Sequence, residues 1–132
     1  MKIAAVSEDG RTISQHFGRA PFYIVVTVED GKIVSREQRD KMGHAHFAGE
    51  PHAEDQDPRG HGFDAAAQGR HTRMSAAIAD CQALLARGMG AGAYESLQQA
   101  GIRPVITDIS TIDEAVQAYL TGRIVDHTER LH

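Results

Sequence analysis

Apolar positions along this chain fall into short blocks, and the spacing inside the blocks changes partway through. Lys2 to Ser7 (KIAAVS) is a strand-sized apolar run closed by Glu8-Asp9-Gly10, the pattern of a strand followed by a turn. Phe22 to Val28 (FYIVVTV) is β-branched and aromatic, and the following Glu29-Asp30-Gly31-Lys32 carries an Asp-Gly turn, the strongest short hairpin signal. Lys32 to Glu37 alternates and reads as the returning strand, so the first three elements form an antiparallel meander.

From Asp40 to about Thr72 no period is visible, and a structureless stretch of roughly 30 residues inside a compact domain is either functional or disordered. It reads as a flexible insertion, residues 40–72, within one domain spanning 1–132. Met74, Ala77, Ile78 and Cys81 then recur at helical spacing. Ala83-Leu84-Leu85-Ala86 is a short buried strand, Arg87 to Gly92 (RGMGAG) breaks it, and Ala93 to Ala100 resumes in good helix formers with Gly101 placed to cap the helix end. Ile102 to Thr107 is a strand, and Pro104 argues that it lies at an edge or has the missing N–H facing away from the ladder. Thr111-x-x-Glu114 has the form of a capping box ahead of a last helix with Ile112, Ala115, Val116, Tyr119 and Leu120 on its apolar face. The order β-β-β-(long loop)-α-β-α-β-α predicts an α/β fold, a mixed five-stranded sheet that starts as a meander and continues through right-handed crossovers.

Composition narrows the function classes. The net charge is -4, from 14 basic and 18 acidic residues, which leaves no basic footprint for nucleic acid. Neither a membrane span nor a signal-peptide core is visible, so a cytoplasmic protein is expected. One cysteine excludes an internal disulfide and any usual multi-cysteine metal site. A metal would therefore rely on histidine, carboxylate or ligands that it brings with it.

If the first and fourth strands are parallel neighbours, three special segments leave the same end of the sheet: the loop with His16-Phe17-Gly18-Arg19-Ala20, the Gly88-Met89-Gly90-Ala91-Gly92 loop, and the insertion, whose residues 43–71 hold five of the eight histidines. Ligands of open α/β sheets bind outside the carboxyl ends of the strands, where connections diverge. A glycine-rich entry to a helix offers free backbone N–H groups and suits an anion. Arg19 adds a cation with five donors, and the His16 imidazole either ligates a metal or donates a hydrogen bond. An anion containing a metal is the ligand this set predicts. Each feature has a plainer reading too: a glycine loop between strand and helix is common, His16 could simply close a turn, and Cys81 on the helix stripe is a core residue.

The Met1-Lys2-Ile3-Ala4 start, Asp9-Gly10, Ile13-Ser14-x-His16-Phe17-Gly18-Arg19-Ala20, Gly88-Met89-Gly90, Leu97 with Gly101-Ile102, and Thr111-Ile112-x-Glu114-Ala115-Val116-x-Ala118-Tyr119-Leu120-x-Gly122 occur in this order. The whole resembles the dinitrogenase iron-molybdenum cofactor biosynthesis family, which includes NifX-like carriers and the C-terminal part of NifB proteins. The resemblance covers nearly everything outside residues 40–72. It implies a three-layer, ribonuclease-H-like α/β fold with helices on both faces. It also implies non-catalytic binding, storage or transfer of an anionic metal–sulfur cluster, of the iron–sulfur or molybdenum-containing type, between donor and acceptor proteins. The cofactor-binding candidates are His16, Phe17, Gly18, Arg19, Gly88, Met89, Gly90 and Gly92. The metal-ligand candidates are His16, His44, His46 and His52. The alternative is a divalent-metal buffer or sensor, in which His44, His46 and His52 would hold zinc, nickel or copper. A two-metal hydrolase is disfavoured, because strand one offers Ile-Ala-Ala-Val-Ser where metal-binding carboxylates would be needed.

Overall fold

The computed structural model describes residues 1–41 and 65–131. Five strands and three helices follow in the order β1 (Lys2–Ser7), β2 (Phe22–Glu29), β3 (Lys32–Asp40), α1 (Ala65–Ala76), β4 (Ala83–Ala86), α2 (Ala91–Gln99), β5 (Arg103–Ile106) and α3 (Ile112–Leu120), with a 3-10 turn at Thr128–Arg130. The strands form one mixed sheet in the order β3-β2-β1-β4-β5. β1 is antiparallel to β2 and parallel to β4, and β4 is parallel to β5. Asp30 and Gly31 close the β2–β3 hairpin with φ of 53° and 75°, the left-handed pair that a two-residue primed turn requires.

Position in the sheet explains the strand sequences. β1 lies at the centre, so Ile3 to Ser7 are buried on both faces, and its apolar run is continuous instead of alternating. β3 is an edge strand and largely exposed, and β5, with Pro104, is the other edge. The pleat sends alternate side chains of β3 to opposite faces. Arg36 forms a two-pronged ion pair with Asp113 of α3, whereas Arg39 reaches Asp80 and the Ala77 carbonyl just after α1. Two charged side chains on one edge strand thus tie it to α3 and to the turn that follows α1.

The sequence pattern and the structure differ at three boundaries. β3 continues through Gln38, Arg39 and Asp40, because an edge strand solvated on its faces is held by its ladder to β2 and needs no apolar alternation. α1 begins at Ala65, inside the stretch read as insertion: Ala-Ala-Ala-Gln-Gly-Arg favours a helix but presents no apolar stripe to reveal it. It ends at Ala76, before Cys81, yet the chain keeps winding through Ile78 N–H to Ser75 O and Cys81 N–H to Ile78 O bonds, which bury Met74, Ile78 and Cys81 together. At α3 the capping-box residues bond each other instead of the backbone, with the Thr111 hydroxyl donating to Glu114 Oε1 at 2.7 Å. Among the described residues no helix is long and apolar enough to cross a membrane.

Candidate functional site

The site is built where β1 and β4 end side by side. Ser7, the last residue of β1, is buried and its hydroxyl donates to the Thr12 carbonyl at 2.7 Å while accepting the Gly10 N–H at 2.8 Å. Asp9 accepts the backbone N–H groups of Arg11 and Thr12 and the Thr12 hydroxyl, all at 2.8 Å. These donors hold its carboxyl far below the usual carboxylate range. The turn is thereby closed on itself, and Ile13 N–H to Ser110 O with Ile112 N–H to Arg11 O fastens it to the segment leading into α3.

Residues 13–20 then dock on the loop after β4, backbone to backbone. Arg87 N–H donates to Ser14 O at 3.0 Å and Phe17 N–H to Gly88 O at 3.1 Å. The approach is so close that a Cβ on Gly88 would lie 2.4 Å from Gln15 O, so no other residue fits there. Ile13, Phe17 and Ala20 anchor the loop in the core, and Arg19 and Ala20 donate back to the His16 carbonyl to close its turn. Lys41, buried at the end of β3, donates to the Phe17 carbonyl and sits 4.5 Å from the Phe17 ring centroid. Burial pushes its ammonium down to about 8.

Between the docked loops lies an open cavity of about 560 Å³, lined by Glu8, Asp9, Thr12, Ile13, Ser14, Gln15, His16 and Arg87. Glu8 accepts the Ser14 hydroxyl at 2.9 Å, and Ser14 Oγ accepts the His16 N–H at 3.1 Å, which fixes the backbone beneath the exposed imidazole. Arg87 Nε is buried and has no hydrogen-bond partner among the described residues. A buried donor left unpaired costs about 1–3 kcal/mol, and the rest of the half-buried Arg87 side chain lines the cavity.

The predicted site residues separate into groups. His16 lines the cavity, and Gly88 supports its wall. Gly18 and Arg19 are exposed on the adjoining turn. The Phe17 ring turns inward, 6.4 Å from that of Tyr23, and Met89 is buried in the core, so these two border the site through backbone only. Gly90 is the N-cap of α2 at φ -80°, a conformation open to any residue, and Gly92 is buried in its first turn. His44, His46 and His52 lie outside the described residues. Within the described residues no three His, Cys, Asp or Glu side chains gather into a metal-ligand set. Cys81 precedes β4, at the opposite end of the strand from the cavity, and burial pushes its thiol up to about 12. The sequence reading passed over Glu8, Ser14 and Arg87. Arg87 carried a usable signal, since it stands one residue beyond the carboxyl end of β4.

Residues 1–122 match the sequence profile of a family described as "Dinitrogenase iron-molybdenum cofactor". An uncharacterised protein of Methanocaldococcus jannaschii is 26% identical over 129 residues, which cover 94% of this chain and 89% of that one. Among solved structures, the apo form of the orange protein from Desulfovibrio gigas has a TM-score of 0.65 at 22% identity, covering 96% of this chain and 92% of that one. A proposed dinitrogenase from Methanocaldococcus jannaschii has a TM-score of 0.63 at 12% identity, covering 97% and 95%. At these identities the two structures establish the shared fold.

Proposed function

We propose, because the chain belongs to the dinitrogenase iron-molybdenum cofactor family, that it is a non-catalytic carrier that binds an anionic metal–sulfur cluster in the cavity at the carboxyl ends of β1 and β4 and passes it from a donor to an acceptor protein. The observation that carries this reading is the docking of the two loops around a cavity lined by the exposed His16 imidazole and by the half-buried Arg87 side chain, which has no hydrogen-bond partner among the described residues. The donor set fits the cargo. Cluster sulfides are negatively charged acceptors, which suits Arg87 in the cavity and Arg19 on the adjoining turn, while the metal ions of a cluster can take the His16 imidazole. A cavity of about 560 Å³ falls in the range of roughly 300–1,000 Å³ usual for small-molecule sites. The opposite directions of Arg36 and Arg39 from β3 support helices on both faces, the three-layer, ribonuclease-H-like arrangement.

The test is anaerobic purification or reconstitution, followed by absorption spectroscopy with iron, molybdenum and sulfide analysis. The expected result is a coloured protein whose spectrum changes in His16→Ala, because a coordinate bond is lost. Arg19→Ala should keep the spectrum and weaken binding by roughly tenfold, the effect of one charge-assisted contact. A colourless protein holding only divalent ions would replace the carrier reading with a metal buffer.

A further inference from the structure

Arg87 is the one described side chain in the cavity whose polar chemistry has a buried, unanswered component. Asp9 is saturated by the backbone of its own turn, Glu8 accepts from Ser14, and Ser14 in turn accepts from His16. Arg87 has its backbone N–H engaged with Ser14 O, while its side chain makes no hydrogen bond or ion pair with any described residue. A guanidinium cannot escape the cost by losing its proton, as a lysine or histidine can. The position is also tightly determined. The N–H to Ser14 bond before it and the Gly88 contact with Gln15 after it hold the Arg87 backbone against the opposite loop.

We infer that Arg87 is the anion anchor of this cavity: its half-buried side chain lines the cavity and makes no hydrogen bond or ion pair with a described residue, so its guanidinium is free to donate to a sulfide or oxo group of the bound species. The identity of the anion as metal–sulfur rests on the carrier reading above; the anchoring role of Arg87 does not. With His16 also lining the cavity, the ligand would be held at two points, a metal atom on the imidazole and a terminal anionic atom on the guanidinium. The ligand class is thus a compact thiometallate or cluster with terminal sulfide or oxide. Arg87 should set affinity, and His16 should set the electronic spectrum.

The experiment titrates the full chain with tetrathiomolybdate, followed by visible absorption, and separately with inorganic phosphate, followed by calorimetry. Parent, Arg87→Gln, Arg87→Lys, His16→Ala and the remote Arg123→Gln are compared, with thermal melting of each without ligand. Arg87→Gln should bind tetrathiomolybdate roughly ten- to a hundredfold more weakly while keeping the bound spectrum of the parent. Arg87→Lys should recover only part of the loss, because an ammonium lacks the planar fork. Arg123→Gln should bind like the parent. Neither Arg87 variant should melt below the parent, since the side chain has no described partner to lose; should Arg87→Gln melt low, Arg87→Lys carries the comparison. Parent-like affinity in a folded Arg87 variant would overturn the anchor and leave the carrier reading standing. Equal, Arg87-dependent binding of phosphate would keep the anchor and remove the preference for metal–sulfur species. A parent that binds neither anion would overturn both.

Discussion

Arg87 and its neighbour Gly88 meet opposite requirements within one short turn: the first needs a partner, and the second must have no side chain at all. Gly88 does not need an unusual φ; it needs space, because Gln15 O occupies the position of its Cβ. Gly88→Ala should therefore push the two loops apart. Overpacking of this kind costs about 1–3 kcal/mol, seen as a melting temperature lower by several degrees and as loss of anion binding in the protein that remains folded. Gly90, whose φ of -80° is ordinary, does not carry that backbone constraint. A second residue-scale expectation concerns Cys81. Its thiol titrates near 9.0 when unperturbed and is pushed up to about 12 by burial. Between these values the unfolded chain loses a proton that the folded chain keeps, so the contribution of Cys81 to stability is complete below about 9 and declines as pH rises towards 12. Denaturant unfolding at pH 8 and pH 10 should show a larger drop for the parent than for Cys81→Ala. Thiol-directed reagents at pH 8 should label the folded protein far more slowly than the denatured one.

At the scale of elements, legibility followed burial. β1, β2, β4, α2 and α3 have buried faces that write a period into the sequence, and their positions were readable to within a few residues. The end of β3 and the start of α1 lack that signature, since one is an exposed edge and the other begins in alanine and polar residues. Also unread was the tail after α3, beyond the matched 1–122, which works on the sheet edge. The Asp126 carboxylate accepts the Ile106 N–H at 2.9 Å and the Tyr94 hydroxyl at 2.6 Å, and His127 N–H donates to Ile106 O at 2.8 Å. These bonds cover the outward-facing N–H and C=O of Ile106, at the end of an edge strand that would otherwise be open there to another strand. Asp126→Ala should destabilise the fold by about 1–3 kcal/mol, because it strands the Ile106 N–H and the Tyr94 hydroxyl. The same bond to Asp126, with a smaller contribution from burial, pushes the Tyr94 phenol up to about 12. One of the three tyrosines should thus titrate nearer its ordinary value of 10.0 in the variant, as read by ultraviolet absorbance against pH.

For the whole molecule, the convergence of loops could be deduced from topology alone: two parallel neighbours, β1 and β4, deliver their following loops to one end of the sheet. Which side chains face the cavity could not. Periodicity assigns faces only within regular elements, whereas Phe17, Arg87 and Met89 lie in irregular loops, where Phe17 and Met89 turned into the core and Arg87 stayed beside the cavity. The same separation of sheet and loops frames the last prediction. Among the described residues, the buried cluster runs from β1 through β2, β4, β5 and the three helices. Lys41, which steadies the Phe17 carbonyl, lies before residues 43–64, and α1, with Met74 in the core, lies after them. Replacing residues 43–64 by a Gly/Ser sequence of the same length leaves the span between β3 and α1 unchanged, so the closure entropy hardly alters. A single cooperative thermal transition is expected to persist. Extending the replacement to Arg70 takes half of α1 and should lower the melting point. Tetrathiomolybdate affinity of the shorter replacement, and of a protein with His44, His46 and His52 all changed to Ala, should match the parent, because the donors assigned to the anion are Arg87, His16 and Arg19. A non-cooperative melt in the shorter replacement would place part of the core in residues 43–64, and a loss of affinity in the triple variant would place ligands there.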